Sequence, residues 1–106
     1  MKVKVYMQTL TENHVLYVND AKRDYVVADT KDTSYPADLF IFTIKDMVSN
    51  WPEKLENKDI LDGLTYKIVI NNNGKEKIYS FQNNFPKDIF RLKMLISEVL
   101  REVKNV

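Results

Sequence analysis

His14 is the only histidine in the chain, and Glu12 stands two residues before it. A histidine beside a carboxylate can serve as a base or a metal ligand, but each task needs further groups around it. With no second histidine, H-E-x-x-H and every two-histidine metal site are excluded. The chain has no cysteine, which excludes thiolate ligands, thiol nucleophiles and a disulfide scaffold. Asp29, Asp32 and Asp38 are close in sequence, yet Lys31 occupies a position where a calcium loop needs an oxygen ligand and no glycine follows. Gly74-Lys75 lacks the upstream glycine of a phosphate loop. Ser34, Ser49, Ser80 and Ser97 have no histidine placed for them by any motif. The expectation is a non-enzymatic chain with no catalytic residue, no metal site and no cofactor.

Charge adds a bias of position. Sixteen Lys and Arg against fifteen Asp and Glu give a formal charge of +1, too small a field to imply a polyanion. Residues 29–62 carry eight acids and four bases, however, and residues 63–106 carry eight bases and four acids. Lys67, Lys75, Lys77, Lys87, Arg91 and Lys93 fall in the basic half with Tyr66, Tyr79, Phe81 and Phe85. Aromatics beside a basic groove are what a single-stranded nucleic acid needs, so these six cations mark a nucleic-acid reading. No RNA-recognition or zinc-finger signature accompanies them.

The elements that must position these groups are legible from periodicity. Lys2 to Thr9 alternates, with Val3, Val5 and Met7 on one face and Lys2, Lys4, Tyr6 and Gln8 on the other, the pattern of a half-buried strand. His14–Val18 and Asp24–Asp29 read as two more strands, and Asp29 to Tyr35 as a polar loop. Pro36 to Asn50 reads as a helix: Phe40, Ile41, Ile44, Met47, Val48 and Trp51 share one stripe at helical spacing, leaving Leu39 and Phe42 off it. Trp51-Pro52 ends it, and Glu53 to Lys58 suggests a further helical turn. Ile60 to Gly63 reads as a turn. Leu64 to Ile70 is a strand, and Asn73-Gly74 is a two-residue hairpin signal. Centring the hairpin there pairs Ile68 with Tyr79 and Tyr66 with Phe81 on one face, and Val69 with Ile78 and Lys67 with Ser80 on the other. A last helix is expected over Pro86 to Val103, capped by Asn83 or Asn84. Its stripe is Ile89, Leu92, Leu95, Ile96, Val99, Leu100 and Val103, with Phe90 and Met94 on the opposite side.

The order is βββ-α-ββ-α. Clustered strands argue for an α+β fold, a single antiparallel sheet of about five strands with both helices packed on it, in one domain over residues 1–106. No apolar run reaches the ~18–20 residues of a membrane helix, and no secretory leader is visible after Met1. The expected location is cytoplasmic.

The stretch Ile60-Leu61-Asp62-Gly63 with Tyr66, the strand pair Lys67 to Phe81, and Asn84-Phe85-Pro86 with Phe90 and Leu92 to Leu100 resembles a module of small uncharacterised bacterial proteins. In that module an Asp-Gly turn precedes a strand with an aromatic, a hairpin follows, and an Asn-x-Pro-x-x-Phe segment opens the last helix. Here the asparagine directly precedes Phe85-Pro86, and Tyr66 stands where a tryptophan is often found. The resemblance covers about 45 residues. It implies an α+β domain of bacterial or phage origin and carries no catalytic residue across.

The functional expectation is a small protein-protein interaction protein, such as an inhibitor or immunity-type partner. Its contacts would be the spare apolar residues Phe42, Phe90 and Met94 and the acids Asp29, Asp32, Asp38 and Asp46. The partner would be another protein or a second copy in a homodimer. The nucleic-acid reading of the basic half is the alternative, and no membrane partner is expected.

Overall fold

The computed structural model describes residues 1–59 and 63–104. The expected turn at Ile60 to Asp62 lies outside the described residues. Seven strands and two helices follow in the order β1 (Lys2–Gln8), β2 (Asn13–Asn19), β3 (Tyr25–Ala28), β4 (Lys31–Pro36), α1 (Ala37–Val48), β5 (Lys54–Glu56), β6 (Thr65–Asn72), β7 (Lys75–Gln82) and α2 (Phe90–Arg101). The strands form one sheet in the order β4-β3-β2-β1-β6-β7-β5. Every pair is antiparallel except β5 with β7. The fold is therefore α+β with a mixed sheet of seven strands, where five antiparallel strands were expected.

Both extra strands sit at sheet edges. The expected polar loop after Asp29 is β4, made by a two-residue turn in which Asp29 (φ 49°) and Thr30 (φ 68°) are both left-handed. The Asp29 carboxylate holds that turn, accepting the Val15 amide at 2.8 Å and lying 2.7 Å from His14 Nδ1. The expected helical turn after Pro52 is β5. It lies parallel to β7, extended by the Ser80 amide donating to the Glu53 carbonyl and the Asn57 amide to the Gln82 carbonyl. α1 carries the chain from β4 at one edge of the sheet toward β5 at the other, and β6, which pairs antiparallel with β7, stands in sequence between the parallel strands β5 and β7.

Both edges are guarded. β5 is only three residues long, with Lys54 and Glu56 exposed or half-buried and ion-paired to each other. At the other edge the C-terminal segment covers β4: Ser34 donates its amide to the Glu102 carbonyl, and Lys104 donates its amide to the Asp32 carbonyl. Short charged edges and covered edges both block strand addition by another chain.

The hairpin has the expected register, with Ile68 opposite Tyr79, Tyr66 opposite Phe81 and Val69 opposite Ile78. Asn73 and Gly74 both take positive φ, as a type I′ turn demands. Gly63 has a separate constraint, because a Cβ there would fall 1.5 Å from Asn83 Oδ1.

One core lies between the sheet and the helices. Val3, Val5, Leu16, Val18, Val26, Ala28, Tyr66, Ile68, Tyr79 and Phe81 supply its sheet side, and all are buried. The expected α1 stripe is buried in full, from Phe40 to Trp51. The Trp51 ring packs edge-on to Phe81 at 5.5 Å, and its indole N–H donates to Asp88 at 2.7 Å. The α2 stripe is buried at Leu92, Leu95, Ile96 and Val99. The helix itself starts at Phe90, not Pro86, and neither Asn83 nor Asn84 caps it; Ile89 holds the N-cap position without a side-chain bond. Pro86 instead opens a tight turn whose carbonyl accepts the Ile89 amide.

Candidate functional site

Strand periodicity puts alternate residues on opposite sheet faces. Both helices pack on the face that carries Val3, Val5, Leu16 and Ile68. The opposite face carries Lys2, Lys4 and Tyr6 from β1, Val15 and Tyr17 from β2, Val27 from β3, Lys67 and Val69 from β6, and Ile78 from β7. Together they line a shallow depression of about 960 Å³. Register places them side by side: Lys4 is opposite Tyr17 on one neighbour and Val69 on the other, while Tyr6 is opposite Val15 and Lys67.

The composition of this face is unusual for a sheet surface in water, where alternation normally gives polar residues outside. Ile78 is 41 % exposed and Val15 38 %, with Val27 and Val69 half-buried beside them. Lys4 Nζ lies over the Tyr17 ring at 5.5 Å from its centre, and Lys67 Nζ over the Tyr6 ring at 5.8 Å. Among the described residues no carboxylate forms an ion pair with Lys2, Lys4 or Lys67. Two acids line the rim. Glu76 stands near the hairpin end, and Asp29 is held by His14.

The residues expected as one contact surface divide into four places. Phe42 is 71 % exposed on α1, with Asp38 and Asp46 beside it around a second, smaller depression. Phe90 and Met94 are 57 % and 56 % exposed on α2. Arg91 joins the two helices by donating to Asp46 at 2.8 Å. Asp29 lies on the other side of the molecule at the sheet depression, and Asp32 pairs with Arg23 at the β4 edge.

The six cations of the basic half do not form one surface either. Lys67 belongs to the open face, Lys75 to the hairpin end, and Lys87 and Lys93 to the α2 segment. Two of the six are engaged internally. The Lys77 ammonium lies 5.4 Å from the Tyr79 ring centre and 3.8 Å from Glu53, and contact first with Tyr79 and then with Glu53 holds it above the usual lysine range. Arg91 is held above the usual arginine range first by its hydrogen bond to Asp46, then by the charges of Asp46 and Asp88. Tyr66, Tyr79 and Phe81 are core residues, so they offer no ring face to a base.

Among the described residues no group of three or more His, Cys, Asp or Glu side chains is placed to hold a metal ion. His14 is occupied by Asp29, with Glu12 3.5 Å from its other ring nitrogen. Among the described residues no helix is long and apolar enough to cross a membrane. Against known proteins, the chain matches no family model, no curated protein and no solved structure.

The basic, aromatic face was not recognised from sequence. Its signal was half visible, in the Lys-x-Lys-x-Tyr side of β1. Which strands flank β1 is a matter of strand order, and that order puts Tyr17 and Lys67 against it.

Proposed function

We propose that this chain is a non-enzymatic protein-binding protein, and that it binds an acidic protein surface through the uncovered face of its sheet. The observation that carries the reading is the set of three lysines without an ion-pair partner on a floor of two tyrosines and four aliphatic side chains, on strands that nothing covers among the described residues. Apolar centres with tyrosine anchors are the energetic core of protein interfaces. The lysines add complementarity for carboxylates and orient an acidic partner in approach.

The same geometry disfavours a nucleic acid. A stacking platform presents free ring faces along a basic track. Here the Tyr6 and Tyr17 faces are each covered by a lysine ammonium. The aliphatic residues Val15, Val27, Val69 and Ile78 have no use in phosphate binding but suit a protein surface.

The test is affinity capture from the source cell with wild type, with a Lys4→Glu/Lys67→Glu double variant and with Phe42→Asp as a control. Each captured protein is then purified and titrated against all three. The expected result is an acidic protein held by wild type and Phe42→Asp and lost from the double variant. A partner that binds the double variant as well as wild type overturns the reading. So does a single-stranded oligonucleotide that binds wild type and is lost from the double variant.

A further inference from the structure

The helical side of the molecule carries a second uncovered surface, distinct from the sheet face. Each helix aims one phenylalanine away from the core, Phe42 on α1 and Phe90 on α2, and each adds a second exposed apolar residue, Leu39 (49 %) and Met94 (56 %). The Asp46–Arg91 ion pair bridges the two helices at the surface. The charges around the two phenylalanines differ in sign. Around Phe42 the exposed charges are Asp38, Lys45 and Asp46, the last paired with Arg91 of α2. Around Phe90 and Met94 they are Lys87, Lys93 and Arg101 with Glu98, while Asp88 is held by Trp51 and Arg91 and Glu102 by Ser34.

A surface with an acidic half and a basic half, each centred on an apolar residue, is complementary to itself. We infer that the α1–α2 layer is a self-association face whose occupant is a second copy of this chain. A two-fold axis running along the helix pair sets α1 of one copy against α2 of the other, as an isologous interface requires. That arrangement brings Asp38 and Asp46 toward Lys87, Lys93 and Arg101 twice over. It also packs Phe42 on the Phe90 and Met94 pair, where ring–ring and sulfur–ring contacts are favourable. The alternative of α1 on α1 opposes like charges. The open sheet face is a poor self-partner for the same reason, because it would set lysines on lysines.

The size of the face sets the strength. Twelve residues of helix span ~18 Å, so two neighbouring helices offer about 400 Å² of projected area per copy. That is the small end of specific interfaces, where complexes are weak and transient. The dimer is therefore concentration-dependent and leaves both sheet faces free.

The experiment is solution mass by light scattering across a concentration series, with sedimentation as a check. Wild type should rise from 12.5 kDa toward twice that mass. Phe42→Asp should stay monomeric throughout while keeping its circular dichroism. Charge reversal supplies the decisive arm. Asp38→Lys/Asp46→Lys should be monomeric, because both helices are then basic. Lys87→Glu/Lys93→Glu should also be monomeric, because both are then acidic. Mixing these two variants should restore a dimer, one chain of each. Loss of the Asp46–Arg91 pair, which is more than a third exposed on both sides, costs little stability, so both variants should fold. A wild-type chain that stays monomeric across the series overturns the inference, as does a dimer that Phe42→Asp leaves intact or a mixture that stays monomeric.

Discussion

Phe40 and Phe42 are two residues apart and should respond oppositely to truncation. In a strand, residues i and i+2 share a face, whereas in a helix they lie far apart around the axis. α1 places Phe40 at 0 % exposure and Phe42 at 71 %. Phe40 touches the Tyr35 ring edge-on at 6.3 Å inside the core. Truncating such a buried phenylalanine costs about 3–5 kcal/mol from lost transfer energy and the cavity left behind. Phe42→Ala removes a side chain that water already surrounds. Its effect should stay within about 0.5 kcal/mol, since alanine is also the better helix former. The assay is urea unfolding at low micromolar concentration, where association contributes nothing, read by the fluorescence of Trp51. At a slope of about 1.5 kcal/mol per molar urea, Phe40→Ala should lower the midpoint by ~2–3 M. Phe42→Ala should move it by less than ~0.4 M by the same conversion. Equal losses in the two variants would refute both the helical assignment of the segment and the availability of Phe42 as a surface residue.

Two further outcomes test the interior. Thr33 is fully buried, donating its hydroxyl to the Val26 carbonyl at 2.6 Å and accepting the Tyr35 amide at 3.2 Å beside the irregular β3–β4 pairing. Thr33→Val keeps the shape and strands both backbone groups, so it should cost about 1–3 kcal/mol in the same urea assay, and a neutral result would show that those groups find other partners. Burial pushes the Tyr66 hydroxyl up from 10.0 to about 12. The folded value lies above the unfolded one, so the stability this group contributes is complete below pH 10 and is lost as pH rises toward 12. Unfolding midpoints should fall across that window, and Tyr66→Phe should flatten part of the fall; an unchanged pH profile in that variant would refute the assignment.

How far the sequence could be read varies by element, for physical reasons. The hairpin was legible to the residue, since Asn73-Gly74 can satisfy one turn type and period-two alternation then fixes every pair. The α1 and α2 stripes were legible because burial on one side of a helix leaves a 3.6-residue signature. β4 was not. Its turn, Asp29-Thr30, holds no glycine, and a β-branched residue at positive φ contradicts local preference. What makes the turn possible is a long-range contact, the Asp29 carboxylate on Val15 and His14. β5 was not legible either, because its three residues carry no alternation and gain their hydrogen bonds only from β7, more than twenty residues on. The start of α2 was misplaced for a related reason. Asn and Pro are good local signals for a helix start, yet the chain spends Pro86 on a preceding turn that brings Phe85 edge-on to Tyr66 at 5.8 Å.

The two candidate surfaces show where such reading stops. Apolar residues off a helix stripe can be found from a single segment, and Phe42, Phe90 and Met94 were found that way and are exposed. A sheet face is assembled from several strands, so its character depends on which strands are neighbours. Lys4 meets Tyr17 because β1 pairs with β2, and Tyr6 meets Lys67 because β1 also pairs with β6, some sixty residues later. Each segment alone reads as an ordinary amphipathic strand with a polar side. Only the order β2-β1-β6 turns three such sides into one basic, tyrosine-floored depression. If that depression is the binding surface, exchanging Lys4 and Lys67 for glutamate alters one face without touching any buried residue, so partner affinity should fall while the urea midpoint stays within about 0.5 kcal/mol of wild type. A double variant that unfolds would instead show that the lysines over Tyr6 and Tyr17 are there to hold the sheet, and the helical layer would become the face through which this chain meets its partners.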